Sequence, residues 1–254
     1  MDTNNKIVNS IERHFNGTPT IVDGSIKEGC TFENTFIGGY GTIIVDKEFL
    51  DDILGNIKDE ELSQDFIKVL TTINNKVNNY FYSNDKNKNQ REEEYSNSYV
   101  LDDEGMILGT KLSSLKGKNV AKCSEKSLAA YIILEKLYND GNLKRKPSLI
   151  LSTLKTKATK EEPHAFLLID KEDNEYPLKH MLYDIENPTE LSDLRGNKLI
   201  VPGVYSLTDE ECSNIKKGIS CTPKSLFENL NPEYRDIGAT RIYGGSELNK
   251  QIFN

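Results

Sequence analysis

The sequence predicts an α+β fold in which one buried helix packs on an antiparallel sheet. Three stretches predict it: KCSEKSLAAYIILEKLY from Lys122 to Tyr138, PHAFLLID from Pro163 to Asp170, and MLYDIENP from Met181 to Pro188. In the opening stretch the run Leu128 to Leu134 is apolar on every side, so it has no face to give to water and belongs in a core. The other two are short apolar runs closed by turn residues, of strand length rather than helix length.

Taken in order, Lys6 to Phe15 predicts a short amphipathic helix, with Ile7, Ile11 and Phe15 on one stripe. Thr20 to Val22, Thr31 to Ile37 and Thr42 to Val45 read as strands around the glycine-rich turn Gly38 to Gly41. No Lys-Ser/Thr pair follows those glycines and the next segment is a strand, so the turn is a hairpin rather than a phosphate loop. Helical spacing begins at Lys47 (Phe49, Leu50, Ile53, Leu54, Ile57) and returns from Asp59 to Tyr82 (Leu62, Phe66, Val69, Leu70, Ile73, Val77). Ser83 to Ser98 is densely charged and has almost no apolar residue to offset its ordering entropy. The predicted organisation is therefore a mixed N-terminal region at 1–82, a flexible charged linker at 83–98 and a core at 99–254.

Tyr99 to Leu101 and Met106 to Leu108 flank DDEG as a hairpin, and the helix from Cys123 stops near Asp140-Gly141-Asn142. Ser148 to Leu154 is a strand. Lys198 to Val201 and Val204 to Leu207 read as two strands split by the turn Pro202-Gly203. Thr208 with Glu211 forms a capping box for a helix to Lys217, Pro223 to Leu230 reads as a last helix, and Arg241 to Tyr243 as an edge strand.

Composition narrows the partners. The chain has 254 residues, enough for a sizeable core, and a net charge of -8, which argues against nucleic acid or anionic lipid bound through bulk charge. No apolar run reaches the roughly 18 to 20 residues of a membrane span. The N-terminus lacks the sections of a secretory signal, so the expectation is a cytoplasmic protein or one exported without a signal peptide. Cys30, Cys123, Cys212 and Cys221 show no CxxC or other zinc spacing, so neither a metal, a cofactor nor a disulfide framework is expected.

Cys123 opens the buried helix, where unpaired N–H groups and the positive end of the dipole favour thiolate over thiol. His164 opens the next informative strand and Asp184 lies in its antiparallel neighbour. In thiol chemistry an imidazole takes the thiol proton and later protonates the leaving group, while a carboxylate holds the imidazole's tautomer and stabilises its charged form. Adjacent strands lie about 4.8 Å apart, close enough for the last two to meet. His180 is the competing base and reads as exposed; Asp170 is the competing carboxylate, at the far end of the histidine strand. Glu125 reads as a complement to the helix dipole, and Cys30, Cys212 and Cys221 as structural.

The pattern C-S-E at the head of a buried helix, then P-H-A-F-L-L-I-D, then L-Y-D-I-E-N-P, resembles the transglutaminase-like branch of the papain-like cysteine enzymes. Its order of Cys, His and Asp is also similar to that of YopT-like and AvrPphB-like peptidases and of arylamine N-acetyltransferases. The resemblance covers Gly117 to Pro188. It implies a papain-like core, no cofactor, a Cys123 nucleophile, a His164 base and an Asp184 orienter acting on an amide of a protein or peptide substrate. The chain has no tryptophan, so the Trp that many transglutaminases place beside the oxyanion is missing; the Cys123 N–H and Asn119 are the donors expected instead. The glycine-rich lead of the acetyltransferases is reduced to Gly117, which sets coenzyme A chemistry behind amide chemistry. A non-catalytic interaction module on the same scaffold is the alternative from another class.

Overall fold

The computed structural model describes residues 20–22, 24–33, 42–55, 66–82, 91–101, 103–156, 161–171, 180–237 and 241–244. The N-terminal elements are β1 (Thr20–Val22), β2 (Thr31–Glu33), β3 (Thr42–Ile44), α1 (Lys47–Leu54), α2 (Phe66–Phe81), α3 (Arg91–Ser96), β4 (Tyr99–Leu101) and β5 (Ile107–Lys111). After them come α4 (Cys123–Asn139), β6 (Arg145–Lys155), β7 (Glu162–Lys171), β8 (His180–Asp193) and β9 (Lys198–Leu207). The chain ends with α5 (Asp209–Lys216), β10 (Lys224–Ser225), α6 (Leu226–Leu230), β11 (Tyr234–Asp236) and β12 (Ile242–Tyr243). The predicted helix at Lys6 to Phe15 and the turn at Gly38 to Gly41 lie outside the described residues.

The fold is mixed α and β. The main sheet runs β1-β6-β7-β8-β9-β10, antiparallel throughout, with β11 added beside β8 and β12 beside β6. A smaller sheet runs β2-β3-β5-β4, with β3 and β5 parallel. Both faces of the main sheet are covered, which is why its strands read as continuous apolar runs rather than alternating ones. Leu167, Ile169, Met181 and Tyr183 face the core that contains α4, while Phe166, Leu168 and Leu182 face a second core closed by Cys212, Ile215 and Tyr243. The larger core joins Phe49, Ile53, Val69 and Leu70 to Leu128, Ile133 and Leu149, so elements on both sides of 83–98 bury one another.

Within α4, Ser124, Glu125 and Ser127 are buried along with Leu128 to Leu134, and the helix packs on β6, β7, β8 and α2. Its entry is fixed by α2. The last carbonyls of a helix lack intrahelical partners, and here Gly117 donates to Tyr80 O at 2.9 Å and Asn119 to Phe81 O at 2.8 Å. Gly117 and Asn119 hold φ of +66° and +56°, the left-handed conformation that turns the chain onto α2 and then toward Cys123. At its other end α4 stops as expected, with Asn142 N–H on Leu137 O at 2.9 Å.

Three local expectations need correction. Arg91–Ser96 is a helix where the charged stretch predicts a flexible linker. Tyr95 is buried, and Lys118 reaches back to Glu94 at 3.3 Å and Ser98 Oγ at 3.0 Å, partners that local composition does not reveal. The last helix begins at Leu226, after a short strand, rather than at Pro223. Finally, Pro202-Gly203 is not a turn: β9 runs unbroken through it.

The reason lies on β8. Asp184 pairs with Gly203 but the next pair is Thr189 with Val201, so β8 carries extra residues that bulge out opposite Pro202. Proline inside a sheet is at home beside a bulge, where no ladder bond is lost. Glycine is required because a Cβ at 203 would stand 2.3 Å from Asn187 O and 2.6 Å from Asp184 O. Gly203→Ala is therefore expected to displace the bulge and lower the unfolding free energy by about 1 to 3 kcal/mol, the usual cost of overpacking; urea denaturation of the variant against wild type checks it. Among the described residues no helix is long and apolar enough to cross a membrane.

Candidate active site

Three elements converge where β7 and β8 part. Their ladder runs from Asp170–His180 to Leu167–Tyr183 and stops there. Beyond it, Ala165 turns to α4: its carbonyl accepts from Ser127 Oγ at 2.9 Å, and its N–H helps to lower the pKa of the Cys123 thiol. Cys123 and Ser127 are four residues apart and so share a helix face. The first turn of α4 thus replaces β8 as the partner of β7 at this point, and the thiol enters the gap.

His164 and Asp184 reach the same gap from their strands. His164 Nε2 lies 2.8 Å from Asp184 Oδ2, and the imidazole and the Cys123 thiol are close enough to shift each other's pKa. Both His164 and Asp184 are buried. Cys123 as a residue is half-buried, although its thiol feels strong burial. The structure brings together the three residues that the sequence nominated.

Asp184 is held by five donors. Oδ2 receives His164, the Asn187 side-chain amide at 3.1 Å and the Tyr243 hydroxyl at 2.8 Å; Oδ1 receives the backbone N–H groups of Glu186 at 3.2 Å and Asn187 at 3.1 Å. The β8 bulge supplies the two backbone donors, curling over the carboxylate in an Asx-type turn. Lys126 on α4 pairs with Glu186 at 2.6 Å and ties that bulge to the helix of Cys123. Tyr243 is fully buried, 6.2 Å from the His164 ring, and is anchored by two backbone bonds to Cys221.

Charge follows from these contacts. Burial pushes the Cys123 thiol up, yet the hydrogen bond and charge of His164 and the Ala165 N–H outweigh it, and the thiol sits below its ordinary value of 9.0. For His164, burial works against the cation, but Asp184 and then Cys123 raise it from 6.5 to about 10. Burial would raise Asp184, but His164, Tyr243 and Asn187 hold it below 3.8. The set favours thiolate beside imidazolium beside carboxylate.

Several expectations shift. Glu125 does more than face the dipole: it is fully buried, and its carboxylate accepts the Lys122 N–H at 2.9 Å, fixing the chain just before Cys123. Asn119 spends its backbone N–H on Phe81, which leaves only its side-chain amide for an oxyanion. His180 is not exposed; it pairs with Asp170 at 2.7 Å and Asp209 at 2.8 Å, at the opposite end of the β7–β8 ladder from Cys123. Asn187 and Tyr243 were not singled out. Asn187 is the asparagine three residues after Asp184 in L-Y-D-I-E-N-P and so is legible as a local partner; Tyr243 lies 59 residues from Asp184, in a two-residue strand, with no spacing to mark it.

Comparison with protein-family models, with curated proteins and with solved structures gives no match.

The ion pair sets a stability window. Asp184 is lowered on folding, so its contribution is present above its ordinary value of 3.8 and lost as pH falls through the folded value. His164 is raised, so its contribution is fully present below 6.5 and lost as pH rises through about 10. Asp184→Asn is expected to destabilise the chain most between about pH 4 and 6.5, with the gap from wild type narrowing toward pH 10. Urea midpoints measured across pH check this.

Proposed function

We propose that the chain is a thiol acyl-transfer enzyme of the cysteine protease, deamidase or transglutaminase type, acting on an amide of a protein or peptide through a thioester at Cys123. The observation that carries the reading is the buried Asp184–His164 pair set beside the Cys123 thiol at the head of a buried helix, where the imidazole holds the thiol below its ordinary pKa. The order Cys on a helix, His on one strand and Asp on the next supports a papain-like, transglutaminase-like core. With Nε2 engaged by Asp184, Nδ1 is the ring nitrogen left to serve the sulfur.

In this mechanism the Cys123 thiolate attacks the amide carbonyl carbon, and its electron pair forms the C–S bond while the carbonyl π pair moves to oxygen. The oxyanion lies toward the Cys123 N–H at the helix N-terminus and the Asn119 side chain. Protonated His164 gives its proton to the departing nitrogen as the C–N bond breaks, leaving a thioester and a free amine or ammonia. Water or an acceptor amine then attacks the thioester, His164 takes its proton, and the thiolate leaves. Asp184 stays ionised throughout and holds the imidazole in one orientation. Glutamine deamidation, peptide hydrolysis and crosslinking share the first half of this sequence and differ in the acceptor.

Ammonia release and peptide cleavage from a denatured, glutamine-rich protein, with and without an added primary amine, test the reading. Wild type is expected to turn over, to show an acyl adduct on Cys123 by mass spectrometry after acid quench, and to lose activity by about 10³-fold or more in Cys123→Ala. Turnover that persists in Cys123→Ala contradicts it.

A further inference from the structure

At the far end of the same strand pair a second group of ligating side chains converges. Asp170 on β7, His180 on β8 and Cys212 on α5 place one ligand atom each within 4.8 Å of one another. Asp170 Oδ1 is the shared corner, 2.7 Å from His180 Nδ1 and 3.6 Å from Cys212 Sγ. We propose that these three side chains form a binding site for a zinc-like divalent ion, separate from Cys123, with a solvent water completing a tetrahedron.

The donor set is one carboxylate, one imidazole and one thiolate, which suits zinc and not the oxygen-seeking calcium or magnesium. A tetrahedral ion with bonds of about 2.3 Å to sulfur and about 2.0 Å to oxygen separates those two atoms by about 3.5 Å, close to the gap already present. The oxygen and nitrogen need about 3.3 Å, so the ring must retreat by roughly 0.6 Å. His180 is only partly buried and lies on a strand end, where such a shift is small.

The surrounding contacts are those that metal ligands have. Asp209 Oδ1 lies 2.8 Å from His180 Nε2, the carboxylate–histidine arrangement that fixes the tautomer and presents Nδ1 to the ion. Lys216 donates to Asp170 Oδ2 at 2.7 Å, holding the carboxylate by the oxygen that the metal does not use. With a dication bound and Cys212 ionised, the charges of Asp170, Asp209, Cys212, Lys216 and the metal sum to zero. Without it, burial and Asp170 push the Cys212 thiol up to about 11, so the ion displaces the thiol proton to solvent as the sulfur–metal bond forms. The consequence is a clamp that binds α5 to the ends of β7 and β8.

The test is titration of the chelator-treated full chain with Co²⁺, whose thiolate complexes show a sulfur-to-cobalt charge-transfer band. One equivalent per chain is expected to raise that band together with tetrahedral visible bands, and Zn²⁺ to bleach both. Cys212→Ser should abolish the charge-transfer band, Cys123→Ser should leave it intact, and Asp209→Asn, on an exposed side chain, should weaken binding about 10- to 100-fold without disturbing the fold. Absence of the band in folded wild type, or a band that survives Cys212→Ser, overturns the site. Since the active-site thiol is exchanged separately, failure here and failure of the acyl-transfer reading are distinguishable.

Discussion

The arrangement depends on one buried charge. A carboxylate with no solvent exposure is costly unless its lone pairs are filled, and Asp184 fills them with five donors drawn from β7, the β8 bulge and β12. Those donors do not come free of fold. The bulge exists because β8 has residues in excess of β9, and β9 can pass beneath it because residue 203 has no side chain. Tyr243 reaches the carboxylate only because the chain returns after α6 to lie along β6. Sheet register, bulge and C-terminal return are thus conditions of one ionised group.

From that charge the chemistry propagates in one direction. Asp184 makes the His164 cation favourable, the cation makes the Cys123 thiolate favourable, and the helix N-terminus adds to the same bias. The α4 helix is positioned twice over, by α2 carbonyls that hold its approach loop and by Ser127 on Ala165 O. Polar residues inside this helix are satisfied rather than tolerated: Glu125 fixes the entry and Ser127 replaces a strand partner. Cys123 and His164 are therefore held on elements packed against the same sheet.

Much of this was legible in sequence because it is local. The apolar run Leu128 to Leu134, two strand-length runs and a histidine near the head of one of them pointed to Cys123, His164 and Asp184 without any distance. What escaped is non-local or ambiguous by composition. Pro202-Gly203 carries a turn's chemistry, yet its function is to clear space for a bulge on another strand, and only the partner strand shows that. Tyr243 sits in two residues of strand amid polar chain, and its hydroxyl has meaning only beside Asp184. His180 and Cys212 look unrelated along the chain because an antiparallel ladder and a helix are needed to bring them to Asp170.

The central claim is that His164 keeps Cys123 ionised, and the rate of iodoacetamide alkylation at Cys123, located by peptide mapping from about pH 5 to 9, tests it most directly. The account predicts a rate in wild type that holds well below the ordinary thiol value of about 8.5 and, in His164→Ala, collapses to the profile of an ordinary thiol. A wild-type profile that already follows an ordinary thiol, unchanged by His164→Ala, would contradict it.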